Sequence, residues 1–244
     1  MELKFLKKLD EKEWLNELTV WLTVSLLMAF ILSINIKWPI VSIDPWNLIV
    51  MFLLSLLMFL VFIGAQKTMA FFLDCETRTR LITFRRFWFR AHAVFNFDFP
   101  AWLLFPLIIL FATGSYIRWL AVLSFDIEPK LTRVRRRWAE LTEFDIAKVA
   151  IAGPAAVLIL GLIARIIGFN DFAMLCTLLA LLSLIPIGLG FKMLMSSRLL
   201  WIFSFLFTLS IFLIMHVAGA FVTIVIAVLI AAILTLAYYI LYEK

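Results

Sequence analysis

Leu48-Ile49-Val50-Met51-Phe52-Leu53-Leu54-Ser55-Leu56-Leu57-Met58-Phe59-Leu60-Val61-Phe62-Ile63-Gly64-Ala65-Gln66-Lys67-Thr68-Met69 decides the fold class. The run exceeds the roughly 18 apolar residues that read as a membrane span, and the chain holds several such runs. Sixty-five per cent of residues are apolar, 25 are Phe, and the mean hydropathy is +1.10. Soluble domains hold roughly 45–50% apolar residues, so a soluble globular fold is excluded. The sequence predicts an all-α polytopic integral membrane protein. An outer-membrane barrel would instead alternate apolar and polar residues in segments of about ten.

Outward from that run, Leu18–Ile36 reads as a first span, closed by Lys37-Trp38-Pro39. Residues 1–17 place Leu3, Leu6, Leu9, Trp14 and Leu15 at helical spacing with four lysines between them, a cytoplasmic amphipathic helix on the interface. The apolar run after it lacks a small-residue cleavage site, so it reads as a span rather than a leader. Further spans are expected at Lys148–Phe169, Phe172–Met195, Leu199–Met215 and Phe221–Tyr242, six in total. Cys75 lies in a polar connection and Cys176 in an apolar run, which makes a disulfide between them improbable.

Two connections carry more information. Phe89–Phe99 alternates, with Arg90, His92, Asn96 and Asp98 on one face and Phe89, Phe95, Phe97 and Phe99 on the other, the period of a short β element. Residues 131–144 set Leu131, Val134, Trp138 and Leu141 against Arg133, Arg135, Arg136 and Arg137, a second interfacial helix. Ala101–Phe125 is apolar but interrupted by Pro106, Gly114-Ser115 and Arg118. If it dips into the bilayer and returns, nineteen of the 22 basic residues fall on one side. The positive-inside tendency favours that arrangement. The expectation is a re-entrant segment, a cytoplasmic β element and both termini cytoplasmic, in the cell membrane; one tilted span is the alternative for residues 101–125.

Three motifs in order resemble the site-2 protease family, especially its archaeal branch, over about residues 48–200. Ala65-Gln66-Lys67-Thr68-Met69-Ala70, with Asp74-Cys75-Glu76-Thr77-Arg78 after it, is similar to the end of the family's metal-binding helix and the strand that follows. Ala150-Ile151-Ala152-Gly153-Pro154-Ala155-Ala156-Val157 is similar to its A-G-P-x-x-N. Ser183-Leu184-Ile185-Pro186-Ile187-Gly188-Leu189-Gly190-Phe191-Lys192 is similar to its N-L-I-P-x-x-P-L-D-G-x-K. The resemblance implies a three-helix core that receives a partner's transmembrane segment.

The resemblance also places the chemistry, and the chemistry is missing. A zinc protease needs two imidazoles one helical turn apart, a Glu beside the first as base, and a further ligand. The H-E-x-x-H positions hold Phe62, Ile63 and Gln66. The L-D-G segment is shortened to Leu189-Gly190 without a carboxylate, and the Asn position holds Val157. Phe and Ile cannot ligate, and a neutral Gln amide ligates zinc poorly. His92 and His216 are the only histidines, and their expected positions lie on opposite membrane faces. A site from Asp74, Cys75, Glu76 and His92 lacks ligand spacing. Asp98 and Asp126 sit at segment ends rather than inside facing spans, against an aspartyl protease; Ser115 has no histidine to activate it. Gln66 and Lys67 read as a cap on the cytoplasmic end of a helix, and Arg165 as snorkelling or paired with Asp171.

The expected protein is therefore not an enzyme, holds no metal and no cofactor, and binds transmembrane or extended segments of a membrane-protein partner. Its cleft would be built from Gln66, Phe95, Phe97, Gly153, Pro154 and Pro186, and Phe89–Phe99 would offer a strand edge to an extended peptide. The organisation is residues 1–17, the first span and outer loop at 18–47, a core at 48–200 with an insertion at 74–146, and C-terminal spans at 201–244. Arg133, Arg135, Arg136 and Arg137 would meet anionic lipid of the bilayer at the cytoplasmic face; nucleic acid is not needed to account for them. A structural subunit of a larger complex is the alternative. A small-solute transporter would want charges inside its spans, which hold almost none.

Overall fold

The computed structural model describes residues 2–37, 40–86, 94–129, 142–215 and 220–242. The chain is mostly helical with small two-stranded sheets. Among the described residues, Asn16–Ser33, Pro45–Phe72, Glu143–Ile167 and Val222–Ile240 are helices long and apolar enough to cross a membrane. Asn170–Leu184 and Leu189–Ser196, bent by 55° at their junction, make a fifth if they count as one broken span. Large apolar side chains stand exposed along these helices, among them Leu53, Ile166, Ile233 and Leu236, each at least 60% accessible. Contiguous exposed apolar surface of this kind marks contact with lipid or protein. The chain forms two compact units, Met1–Leu60 with Arg78–Asp126, and Val61–Thr77 with Ile127–Lys244.

In the first unit, α1 (Glu2–Ser33) is one continuous helix. The interfacial helix and the first span, read separately in the sequence, are joined because no Gly or Pro falls between residues 2 and 33. The change at Leu18 is one of composition, not of backbone. Helix α1 stops at Ser33, short of Ile36, where β1 (Ile34–Lys37) begins. Strand β1 pairs antiparallel with β2 (Ile40–Ile43), placing Ile34 opposite Ile43. Helix α2 (Pro45–Phe72), whose residues from Val61 onward belong to the second unit, starts with Pro at its first position and Asp44 ahead of it, whose carboxylate accepts from the Trp46 N–H at 3.1 Å. Both are helix-initiating features. The Ser55 hydroxyl donates to the Ser25 carbonyl at 2.9 Å and the Trp21 indole N–H to that of Leu56 at 3.4 Å.

The rest of this unit is built on strands. Strand β3 (Cys75–Leu81) pairs with β6 (Leu123–Pro129), and Arg80 meets Asp126 at 2.9 Å. Strands β4 (Phe84–Arg86) and β5 (Val94–Phe99) pair antiparallel with an irregularity between Phe84↔Phe99 and Arg86↔Val94. The alternation expected over Phe89–Phe99 is a strand from Val94 onward; residues 89–93 lie outside the described residues. Helix α3 (Ala101–Ala112) is only 12 residues long. After it Gly114 and Ser115 take φ of 60° and 70°, a left-handed pair that reverses the chain. A single straight helix through Ala101–Phe125 is thus excluded.

In the second unit, α4 (Glu143–Ile167) opens on Thr142, whose hydroxyl accepts from the Asp145 N–H, and closes on Gly168 at φ 103°. Helix α5 (Asn170–Leu184) follows at once; Arg165 bonds Asn170 Oδ1 at 2.7 Å, rather than the expected Asp171. Ile185-Pro186-Ile187-Gly188 then breaks the helix, because Pro disfavours helical backbone at the residue before it. Helix α6 (Leu189–Ser196) is followed by α7 (Arg198–Ile214) and α8 (Ala220–Tyr242). Helix α4 packs along α5, and Leu158, Ala180, Ile211 and Ala227 form a buried cluster between α4, α5, α7 and α8. The expected interfacial helix at 131–144 lies outside the described residues but for its last three positions, where Thr142 caps α4.

Candidate functional site

Phe62 and Gln66 stand one turn apart on α2, and both are buried, with 2% and 3% of their surface accessible. The separation of four residues puts them on one helix face, and that face meets Gly153 of α4. A Cβ added at Gly153 would lie 3.1 Å from the Phe62 ring and 3.1 Å from Gln66 Cγ. Only a residue without a side chain admits so close an approach. Pro154 and Val157 continue the buried face of α4. Ile63 is half-buried, whereas Gly64 and Lys67 are exposed.

Phe62, Gln66 and Gly153, picked from separate sequence motifs, are therefore one contact. Its electrostatics are unusual in one respect. Gln66 Nε2 is buried and has no hydrogen-bond partner among the described residues. An unsatisfied buried amide donor costs about 1–3 kcal/mol. The sequence reading of Gln66 as a helix cap is corrected here: α2 continues to Phe72, six residues further.

Leu189 and Gly190 are buried at the start of α6. A Cβ at Gly190 would overlap the carbonyl oxygens of Leu184 and Ile185, so α6 begins tight against the end of α5. The Leu184 carbonyl accepts from the Trp201 indole N–H at 2.7 Å. Helix α6 packs against α4, the helix that carries Gly153. Pro186 is exposed. Phe95 and Phe97 belong to β5, in the other unit, and their side chains lie outside the described residues. Arg133, Arg135, Arg136, Arg137, His92 and His216 also lie outside them.

The contact has no group capable of nucleophilic or acid–base work: a phenyl ring, a carboxamide and a glycine. Among the described residues no three His, Cys, Asp or Glu side chains gather as metal ligands. What the arrangement offers chemically is a hydrogen-bond donor in an apolar wall. Sequence reasoning also overlooked a groove between α7 and α8, lined in part by Phe203, Ala232 and Leu236. Its signal in the sequence is Ala232, a small residue that lines the groove together with Phe203.

Comparison of the chain with protein-family models, curated proteins and solved structures finds no match. The class the fold defines is a mostly helical protein carrying several apolar helices of membrane-crossing length.

Proposed function

We propose that this protein is a non-catalytic, site-2-protease-like membrane protein that binds transmembrane or extended segments of partner proteins. The observation that carries the reading is the buried, unpartnered Gln66 amide beside Phe62 and Gly153. In a membrane the cost of such a donor is not relieved by water. In this reading the contact opens to admit an unwound partner segment, whose free backbone carbonyl supplies the missing acceptor. The phenyl ring of Phe62 against Gly153 fills the place where the resemblance puts a metal ligand. In this reading the chain crosses the cell membrane six times with both termini cytoplasmic, and residues 101–126 re-enter. In this reading β5, which pairs with β4 among the described residues, adds an extended peptide of the partner as a further strand. Arg133–Arg137 adds attraction to anionic lipid, roughly 1 kcal/mol per basic residue near the surface.

The test places a photoreactive residue at half-buried Ile63, with Gln66 intact or replaced by Leu. The expected result is a crosslinked membrane protein whose yield falls at least about fivefold in Gln66→Leu, while the unfolding midpoint stays level or rises, as loss of an unsatisfied donor demands. Equal yields in the two proteins, or stoichiometric zinc with cleavage of a membrane substrate, would overturn the proposal. The second reading, a structural subunit of a larger complex, draws on the exposed apolar face of α8, where Leu229, Ile233 and Leu236 are each more than half accessible. Crosslinks spread along α8 and absent near Gln66 would favour it.

A further inference from the structure

Residues 113–122 join α3 to β6 without helix or strand. The first turn of this connection is fixed from within. The Thr113 hydroxyl donates to the Ile109 carbonyl at 2.7 Å and accepts from the Ile117 N–H at 3.2 Å. The Ser115 N–H donates to the Leu110 carbonyl at 3.0 Å. The turn so held presents Tyr116 at 93% accessibility and Ile117 at 56%, and on α3 Ile108 and Phe111 are exposed as well.

One charge stands in this segment. Arg118 is the sole charged residue from Phe99 to Phe125. Its guanidinium is partly withdrawn from water, and among the described residues it has neither an ion pair nor a hydrogen bond. The nearest acid along the chain, Asp126, is held by Arg80 at 2.9 Å. A cation drawn out of water without an anion is costly. Where the segment re-enters the bilayer, as proposed above, irregular backbone survives only under the cover of protein or a water-filled cavity. Charged side chains at that depth pair with an opposite charge. The turn is open at Tyr116 and Ile117 and its charge is unpaired, so a second protein completes it.

We infer that this turn docks a partner's transmembrane segment carrying an aspartate or glutamate, and that Arg118 recognises the carboxylate. The inference rests on the re-entrant, partner-binding reading and adds the chemistry of the partner. A guanidinium grips a carboxylate through two parallel N–H donors, so a single acid suffices for selection. Tyr116 and Ile117 supply apolar contact on the same turn. A lipid phosphate is the less suited anion. Helix α3, 12 residues long, carries the turn about 18 Å from its start, inside a hydrocarbon core of roughly 30 Å. Nor does a second copy of the chain serve, because Pro45–Phe72 and Val222–Ile240 contain no Asp or Glu. In Asn16–Ser33, Glu143–Ile167 and Asn170–Leu184 the acids fall within the first three residues, at the segment ends.

The probes are two synthetic peptides of about 20 leucines, one with a single central Asp, placed with the full chain in phosphatidylcholine vesicles. A photoreactive residue replaces exposed Ile117 in one preparation and half-buried Ile63 in another. At Ile117 the Asp peptide is expected to crosslink about tenfold more than the all-leucine peptide, the scale of one polar contact between membrane helices. Arg118→Gln is expected to abolish that preference, and Arg118→Glu to transfer it to a peptide with a central Lys. Equal crosslinking of the two peptides in the presence of Arg118 would overturn the inference, a comparison that needs no Arg118 variant to fold. So would an Asp preference that survives in folded Arg118→Gln. Loss of the preference when phosphatidylglycerol replaces part of the lipid would assign Arg118 to a lipid phosphate instead. Crosslinks at Ile63 but not at Ile117 would refute the docking turn and leave the partner-binding reading standing; crosslinks at neither would sink both.

Discussion

Gly161 of α4 and Cys176 of α5 approach so closely that a Cβ at position 161 would lie 2.9 Å from the Cβ of Cys176 and 3.2 Å from the Ala173 carbonyl oxygen. Small residues allow this in membrane helices, whose association relies on close packing. Gly161→Ala would gain about 1 kcal/mol of intrinsic helix propensity. The neighbours are a Cβ and a backbone oxygen, neither able to swing away, so overpacking of about 1–3 kcal/mol prevails. The expected outcome is a net loss of stability in a denaturant titration in detergent. A gain would show that the two helices can separate without penalty.

Ser25 and Ser55 give opposite expectations from like side chains. The Ser55 hydroxyl bonds the Ser25 carbonyl, while the buried Ser25 hydroxyl has no partner among the described residues. Ser55→Ala should cost about 0.6 kcal/mol, at most about 1.7, the range found for hydrogen bonds between membrane helices. Ser25→Ala should be neutral or stabilising, because it removes an unpaired buried polar group. Unfolding midpoints of the two variants, measured side by side, check the contrast.

The break between α5 and α6 depends on Trp201. Its indole N–H supplies a donor to the Leu184 carbonyl, which lies at the broken helix end. Trp201→Phe keeps a ring beside Phe205, now stacked at 5.5 Å, but removes the donor. A loss of about 1–3 kcal/mol follows from the buried oxygen left unpaired. Gly190→Ala, whose Cβ meets fixed carbonyls, should be worse than Trp201→Phe in the same assay.

Arg80–Asp126 should matter little. The side chains are 63% and 38% accessible, and such pairs contribute about 0–1 kcal/mol. Arg80→Gln should shift the midpoint only slightly, and the shift should shrink as salt is raised. A large, salt-insensitive loss would mean the pair is shielded from solvent.

The legible parts of the fold are those written in local pattern. Apolar runs gave α2, α4 and α8 to within a few residues, and the alternation at Phe95-Asn96-Phe97-Asp98-Phe99 gave β5. Charge density misled at residues 1–17, because a change from polar to apolar side chains does not interrupt backbone hydrogen bonding. The β1–β2 hairpin was overlooked: four-residue strands beside Trp38-Pro39 resemble a simple loop. Strand β6 was illegible for another reason. Its register depends on β3, about forty residues away, and nothing within Leu123–Pro129 names that partner. At the candidate site, spacing placed Phe62 and Gln66 on one face, but only three-dimensional packing put Gly153 against them.

The hairpin at residues 34–43 has a consequence for the order in which the molecule assembles. It reverses the chain within ten residues, so α1 and the first half of α2 are tethered neighbours from the moment both are made. Closing so short a loop forfeits little entropy, and each doubling of its length adds only about 0.6 kcal/mol. The bond from Ile82 N–H to the Val122 carbonyl, 3.1 Å long, must instead wait until forty more residues have been added. The first two helices are thus a self-contained pair that can enter a bilayer together, before any strand of the polar connection has found its mate.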